Sequence, residues 1–265
     1  MLSHDILRQK IFNAGIKLTY SLYPFAYFGQ WSKKIAIYSV NNAAKFKVRV
    51  GTSDKIIIWE VWKNKDYTTH FDIAPKDIVV DIGAHIGAFS VYAAKKAIKG
   101  RVYAFEAYKK NYDLLVQNIA LNKLININLF NVAISDKVGA EKFFIEEKNV
   151  GGSSLYKKLY SKHSVDVPTL SLKEFFIKNK IKKIDFLKMD VEGAEYKIIL
   201  NSPPEILRKI NKIVMEFHEN ISTGHNYREL KDYLERAGFH VEVPTSFIVR
   251  KFLGQGILRA THHDF

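Results

Sequence analysis

Cysteine is missing from all 265 residues. Disulfides, thiolate metal sites and a cysteine nucleophile are thereby excluded, while the absence says nothing about redox compartment. No stretch reaches the roughly 18 uncharged apolar residues that a bilayer span needs. The start, Met1 to Asp5, lacks a basic region followed by an apolar run, so no signal peptide is expected. Internal repeats and low-complexity tracts are lacking as well.

What is abundant is lysine. The formal charge is +14, carried by 33 Lys and only 8 Arg. Arginine is the better bidentate reader of phosphate, and these lysines are scattered over predicted helix faces and loops. The excess therefore reads as a solvated surface, with RNA or an anionic membrane or lipid-linked substrate as the alternatives. A hydrophobic content of 47% supplies a full core, and the length suits one large α/β domain with an N-terminal extension.

Residues 1–47 read as an aromatic-rich extension or lid, and 48–265 as the main domain. The stretch from Leu18 to Lys34 is dense in aromatics and interrupted by Pro24. It suits packing on the domain or, with Lys33 and Lys34, an interfacial patch at a membrane surface. Phe46 to Val50 alternates at period 2 and Ile56 to Val61 is an apolar run, so a β-stranded lead-in is expected over 48–61. From Asp77 onward strands and helices alternate, as in a parallel sheet. Strands are expected at Ile78–Asp81, Val102–Phe105, Ile125–Val132, Ile184–Met189 and Lys212–Phe217, with a peripheral strand at Glu141–Glu146. Phe239–Val243 and Gly256–Thr261 are expected to close the sheet as an antiparallel pair.

Asp81-Ile82-Gly83-Ala84-His85-Ile86-Gly87 follows the first main strand and opens a helix. Glycines there let the backbone pass close to a ligand, and the helix start offers free N–H groups. The spacing is not the Gly-x-Gly-x-x-Gly of a dinucleotide site. An acid at the strand tip repels phosphates but suits the ammonium of S-adenosylmethionine. Glu106 ends the second strand one βαβ unit later, where a carboxylate holds a ribose diol. The plainer reading of each is ordinary α/β architecture and an exposed strand-end acid; their pairing favours the ligand.

Asp190 ends the fourth strand, which flanks the switch point of a doubly wound sheet together with the first. Glu192 and Glu195 follow, around Gly193. Acids in a first helical turn have a dipole explanation, but it accounts poorly for the whole set. Glu216 and His218 end the fifth strand on one side, by period 2. His218 is the first choice of general base and Asp190 the second. Asp190, Glu216 and His218 could instead hold a divalent metal.

These segments, with Ala133-Ile134-Ser135-Asp136, Gly152-Ser153-Ser154-Leu155 and Lys188-Met189-Asp190-Val191-Glu192-Gly193-Ala194-Glu195, resemble the FkbM family of S-adenosylmethionine-dependent methyltransferases. The resemblance covers about residues 55 to 261. It implies a Rossmann-like, mostly parallel sheet with a reversed C-terminal strand, and O-methylation of a sugar, glycan or related small molecule. It implies that Asp81, Gly83, Ala84 and Gly87, with His85 in the same turn, line the methionine end. Glu106 then holds the ribose, Ala133, Ile134 and Ser135 border the adenine, and Asp190, Glu192, Glu216 and His218 face the acceptor. An RNA methyltransferase is the rival, but the fourth strand ends in Met189-Asp190-Val191-Glu192 rather than the Asn/Asp-Pro-Pro-aromatic pattern used on exocyclic amines. A non-catalytic nucleotide-binding module would have no use for the acceptor-side cluster. A cytoplasmic or membrane-peripheral location is expected.

Overall fold

The computed structural model describes residues 34–146, 152–157, 161, 163–219, 221, 224–245 and 254–262. The aromatic stretch before Lys34, and with it most of the expected lid, lies outside these residues. Among the described residues no helix is long and apolar enough to cross a membrane.

Seven strands make the main sheet: β3 (Ile78–Ile82), β4 (Arg101–Phe105), β5 (Ile127–Phe130), β9 (Ile184–Met189), β10 (Ile210–His218), β11 (Phe239–Glu242) and β12 (Gln255–His262). Their order is β11-β12-β10-β9-β3-β4-β5. Neighbours from β5 through β10 run parallel, and β12 runs antiparallel to both β10 and β11. The strands are short apolar runs because both faces are covered. Val80 and Ile82 pack with Phe105, Phe175 and Met189 on one face, while Val79 packs with Phe186, Val91 and Leu115 on the other. The strand order reverses between the parallel neighbours β3 and β9, which opens a crevice beyond their carboxyl ends.

Three helices flank that crevice: α1 (Asp54–Trp59), α2 (Ala88–Lys96) and α3 (Lys109–Leu121). The first is a correction. Ile56–Val61, expected as a strand, is helical and runs into a π-helical turn over Glu60–Asn64. An apolar run alone does not separate a strand from a buried helix. Here Ile58 and Val61, three apart, are the buried positions. Lys65, in the left-handed region at φ 58°, donates its N–H to the Glu60 carbonyl and closes the wide turn.

The boundary expected at 47/48 falls inside a strand. β1 (Ile35–Val40) and β2 (Ala44–Arg49) form an antiparallel hairpin. Two asparagines one helical turn apart on α3 read its edge. Asn118 Oδ1 accepts from the Lys47 N–H at 2.6 Å, and Asn122 Oδ1 from the Lys45 N–H at 3.1 Å. Their amide groups donate back to the carbonyls of the same two lysines. The hairpin is thus tied to the domain through α3.

The expected third strand, Ile125–Val132, is shorter and divides. After β5 the chain leaves the main sheet as β6 (Ala133–Ser135), which joins β7 (Gly139–Ile145) and β8 (His163–Ser171) in a small sheet of order β6-β8-β7. β7 is the peripheral strand expected at Glu141–Glu146.

Candidate active site

A cleft with about 830 Å³ of open space lies over the carboxyl ends of β3, β4 and β9. Its wall includes Gly83, Ala84, His85 and Glu106 on one side and Asp190 and Glu192 on the other, with Ala133 and Ile134 beyond β5. Asp81, Gly87, Ser135, Glu216 and His218 do not line it.

The turn after β3 is held rigidly. Gly83 and Ala84 both donate their N–H groups to the Phe105 carbonyl, at 3.0 and 2.9 Å. Gly83 has φ 78°, and a Cβ built there would stand 1.8 Å from the Asp190 carbonyl oxygen. Only glycine fits. Gly87, the cap of α2, has φ 90°, a left-handed backbone that favours glycine, and lies against Leu115.

Glu106 is buried at the cleft wall. One carboxylate oxygen accepts the His85 N–H and the other the Tyr108 N–H, both at 2.8 Å. Burial pushes its pKa up to about 7, against the pull of those two N–H groups. This is the position expected for the ribose-holding acid.

Asp81 is a correction. Its register partner on β9 is Lys188, so the two side chains project from one face of the sheet. Lys188 Nζ lies 3.3 Å from Asp81 Oδ1 and donates to the Gly83 carbonyl at 2.8 Å. Ser90 Oγ donates to the other Asp81 oxygen at 2.6 Å. Asp81 is fully buried in this arrangement, so its carboxylate holds the floor of the turn and does not meet a ligand ammonium. Ser135 is also turned away, its hydroxyl donating to Glu141 at 2.8 Å with Asp136 at 3.1 Å, and both acids pair with Lys197.

On the far wall Tyr67 Oη donates to Asp190 Oδ2 at 3.0 Å. Glu192 follows in the left-handed region at φ 55°, and the buried Ser154 donates its hydroxyl to the Glu192 carbonyl at 2.6 Å. His218 sits behind them, buried. Its Nδ1 donates to Glu195 Oε1 at 3.0 Å, and its Nε2 lies 3.5 Å from Glu192 and 4.0 Å from Glu216. Burial alone would lower the His218 pKa, but Glu192, Glu195 and Glu216 overcome it and carry it to about 10. A group that holds its proton so firmly is a poor general base, and it stands outside the cleft wall; the first choice of base is thereby corrected. Glu216 accepts from Gln255 at 2.9 Å, and burial, with Asp190 nearby, pushes its carboxyl well above the usual range. Asp190, Glu192 and His218 each present a donor atom, all within 4.8 Å of one another. Glu192 thus takes the place expected for Glu216 in the metal-capable trio.

Sequence reading missed Lys188, Tyr67 and Glu60. A lysine inside the apolar run Phe186-Leu187-Lys188-Met189 was a legible signal, since a buried charge demands a partner. Glu60 was hidden by the strand reading of its segment. Its carboxyl is pushed up to about 7 by burial and by Asp66 and Asp190.

A seven-stranded sheet whose reversed strand lies beside β10, with a glycine turn and strand-end acids around one cleft, defines a Rossmann-like methyltransferase. The chain belongs to the FkbM methyltransferase family: residues 81–241 match the Methyltransferase FkbM domain. It is 29% identical over 187 residues to methyltransferase sdnD of Sordaria araneosa, covering 58% of this chain and 72% of that one. To the hexuronic acid methyltransferase AglP of Haloferax volcanii it is 24% identical, over 61% of this chain and 68% of the relative. To the 31-O-demethyl-FK506 methyltransferase FkbM of Streptomyces tacrolimicus it is 22% identical, over 68% and 80% respectively.

Proposed function

We propose that this enzyme transfers a methyl group from S-adenosylmethionine to a hydroxyl oxygen of a sugar or comparable small molecule, leaving S-adenosylhomocysteine, with the hydroxyl proton passing to the Asp190 carboxylate at the cleft wall. The observation that carries the reading is Glu106, a carboxylate pinned by two backbone N–H groups at the cleft wall, beside a turn where only glycine fits. A strand-end carboxylate at this place is what a nucleoside with a ribose diol requires, and the glycine turn sets the wall beside it. When bound, S-adenosylmethionine supplies a methyl group that is already strongly electrophilic. The chain's own work is then to orient and to dry the site. Glu106 holds the ribose hydroxyls, Ala133 and Ile134 offer an apolar edge to the base, and Asp190, oriented by Tyr67, faces the acceptor. AglP and FkbM, by their names, act on a hexuronic acid and on 31-O-demethyl-FK506, which supports a hydroxyl acceptor here. Calorimetric titration with S-adenosylhomocysteine tests the donor side, and transfer of labelled methyl groups to sugar acceptors tests the rest. Absence of any binding heat in the wild-type protein would sink the reading.

A divalent cation belongs to the same reading, held by Asp190, Glu192 and His218. The observation favouring it is Glu195, which accepts the His218 Nδ1 proton as well as the N–H groups of Val191 and Gly193. A carboxylate behind a histidine is how a metal-ligating imidazole is aimed, leaving Nε2 for the ion. Two carboxylates with one imidazole suit a transition-metal dication such as Mn²⁺ better than Mg²⁺, which prefers oxygen donors alone. Titration of chelator-treated protein with MnCl₂, followed by electron paramagnetic resonance, should show one bound ion in wild type and none in Asp190→Asn; equal occupancy in both would remove the cation from the proposal.

A further inference from the structure

Arg49, at the end of β2, is 7% exposed and lies outside the residues that match the family domain. Its guanidinium grips Asp54 with a fork: Nε to Oδ2 at 3.0 Å and Nη2 to Oδ1 at 2.7 Å, while its own backbone N–H reaches Oδ2 at 2.7 Å. Asp54 is fully buried, so the pair carries no net charge into the interior. The remaining guanidinium bonds point the other way. Nη1 donates to Asn111 Oδ1 at 2.8 Å, and Nη2 donates to His85 Nε2 at 3.1 Å.

A guanidinium has five donors and no acceptor. Asn111 must therefore turn its oxygen toward Arg49, which leaves its NH₂ group for Glu106 Oε1 at 3.4 Å. His85 must present an unprotonated Nε2, which confines its proton to Nδ1 and fixes the ring. The N–H of that same residue is the one that donates to Glu106 Oε2. Besides Asp54, Arg49 thus touches two residues, and each of them touches the strand-end acid, one on each carboxylate oxygen.

We propose that Arg49 is a positioning residue for the methyl-donor site, fixing the orientation of the Glu106 carboxylate through Asn111 and His85. The inference rests on the reading that Glu106 holds the donor's ribose. It makes the hairpin and the start of α1 part of the donor site, although neither Arg49 nor Asp54 lines the cleft. Lysine cannot replace Arg49, because a point charge has no fork with which to hold Asp54, Asn111 and His85 together.

The test is calorimetric titration of S-adenosylhomocysteine into wild type, Arg49→Lys, Asn111→Asp, Glu106→Gln and the double variant Arg49→Lys/Glu106→Gln, well below each melting temperature. Arg49→Lys should weaken binding by about tenfold, the scale of a lost charge-assisted contact. In the Glu106→Gln background the same change should cost little more, because the two act through one carboxyl. Asn111→Asp keeps the bond to Arg49 but faces Glu106 with an oxygen, so it should weaken binding and move the pH dependence of affinity upward. That variant also serves if Arg49→Lys does not fold. Wild-type affinity in Arg49→Lys or an unmoved pH profile in Asn111→Asp overturns the positioning role, as does a fully additive double variant. Failure of wild type to bind, or of Glu106→Gln to weaken binding, overturns the donor-site reading instead.

Discussion

The Gly83 turn and the Asp190 carbonyl are in backbone contact, with no room for even a methyl group between them. The Asp190 N–H in turn donates to the Ile82 carbonyl at 3.0 Å. The Gly83 and Asp190 sides of the cleft are therefore one rigid unit. Gly83→Ala is expected to cost about 2 kcal/mol or more, from overpacking and from a left-handed backbone forced on alanine. Urea unfolding measures the loss, and S-adenosylhomocysteine affinity should fall with it. An alanine variant of wild-type stability would contradict the contact.

Asp81 and Lys188 should behave as a buried pair. Lys188→Met leaves a carboxylate without its cation, and a loss of about 3–5 kcal/mol is expected. Adding Asp81→Asn removes the orphaned charge and should recover much of it. If the double variant is less stable than Lys188→Met alone, the ion pair is not what holds the turn.

Glu106 predicts a pH dependence of ligand affinity. Its carboxyl is raised to about 7 in the free protein. Its contribution to folding stability is thus fully present below its ordinary pKa and lost as pH rises through about 7. On the proposed function ligand binding runs the other way, because the ionised form would accept from two ribose hydroxyls. Affinity for S-adenosylhomocysteine should rise between about pH 6 and about pH 8, and Glu106→Gln should flatten the profile. An unchanged slope in that variant would assign the titration to another group.

Two buried histidines should differ in charge at the same pH. His85 is driven down to about 4, first by burial and then by the Arg49 cation against the pull of Asp54; His218 is carried up to about 10 by its three carboxylates. In chelator-treated protein near neutral pH, nitrogen-15 imidazole shifts should show His218 as a cation and His85 as a neutral ring. A neutral His218 under those conditions would restore it as a candidate base.

Much of the domain was legible because its strands are short apolar runs ended by acids. The β3 turn, Glu106, the acid at the tip of β9 and the closing antiparallel pair all fall where the pattern put them. Residue type at a strand tip does not reveal which way a side chain is spoken for. Asp81 was read as ligand-facing because its partner, Lys188, is remote in sequence and only the parallel register brings them abreast. His218 was read as a base because nothing local announces three carboxylates around it. The Ile56–Val61 run misled for a different reason: with no polar alternation, its period was undecidable until tertiary packing chose a helix.

β12 lies between β10 and β11, although the chain reaches it last of the three. Seven pairings, from Lys212 with Thr261 to His218 with Gln255, join it to β10. A nascent chain therefore carries an open seam along β10 until the segment from Gln255 to His262 has emerged. Any copy halted earlier presents a long unpaired strand edge, the feature most prone to pairing with a neighbour. A chain cut before Gln255 should accordingly be recovered mainly in the insoluble fraction.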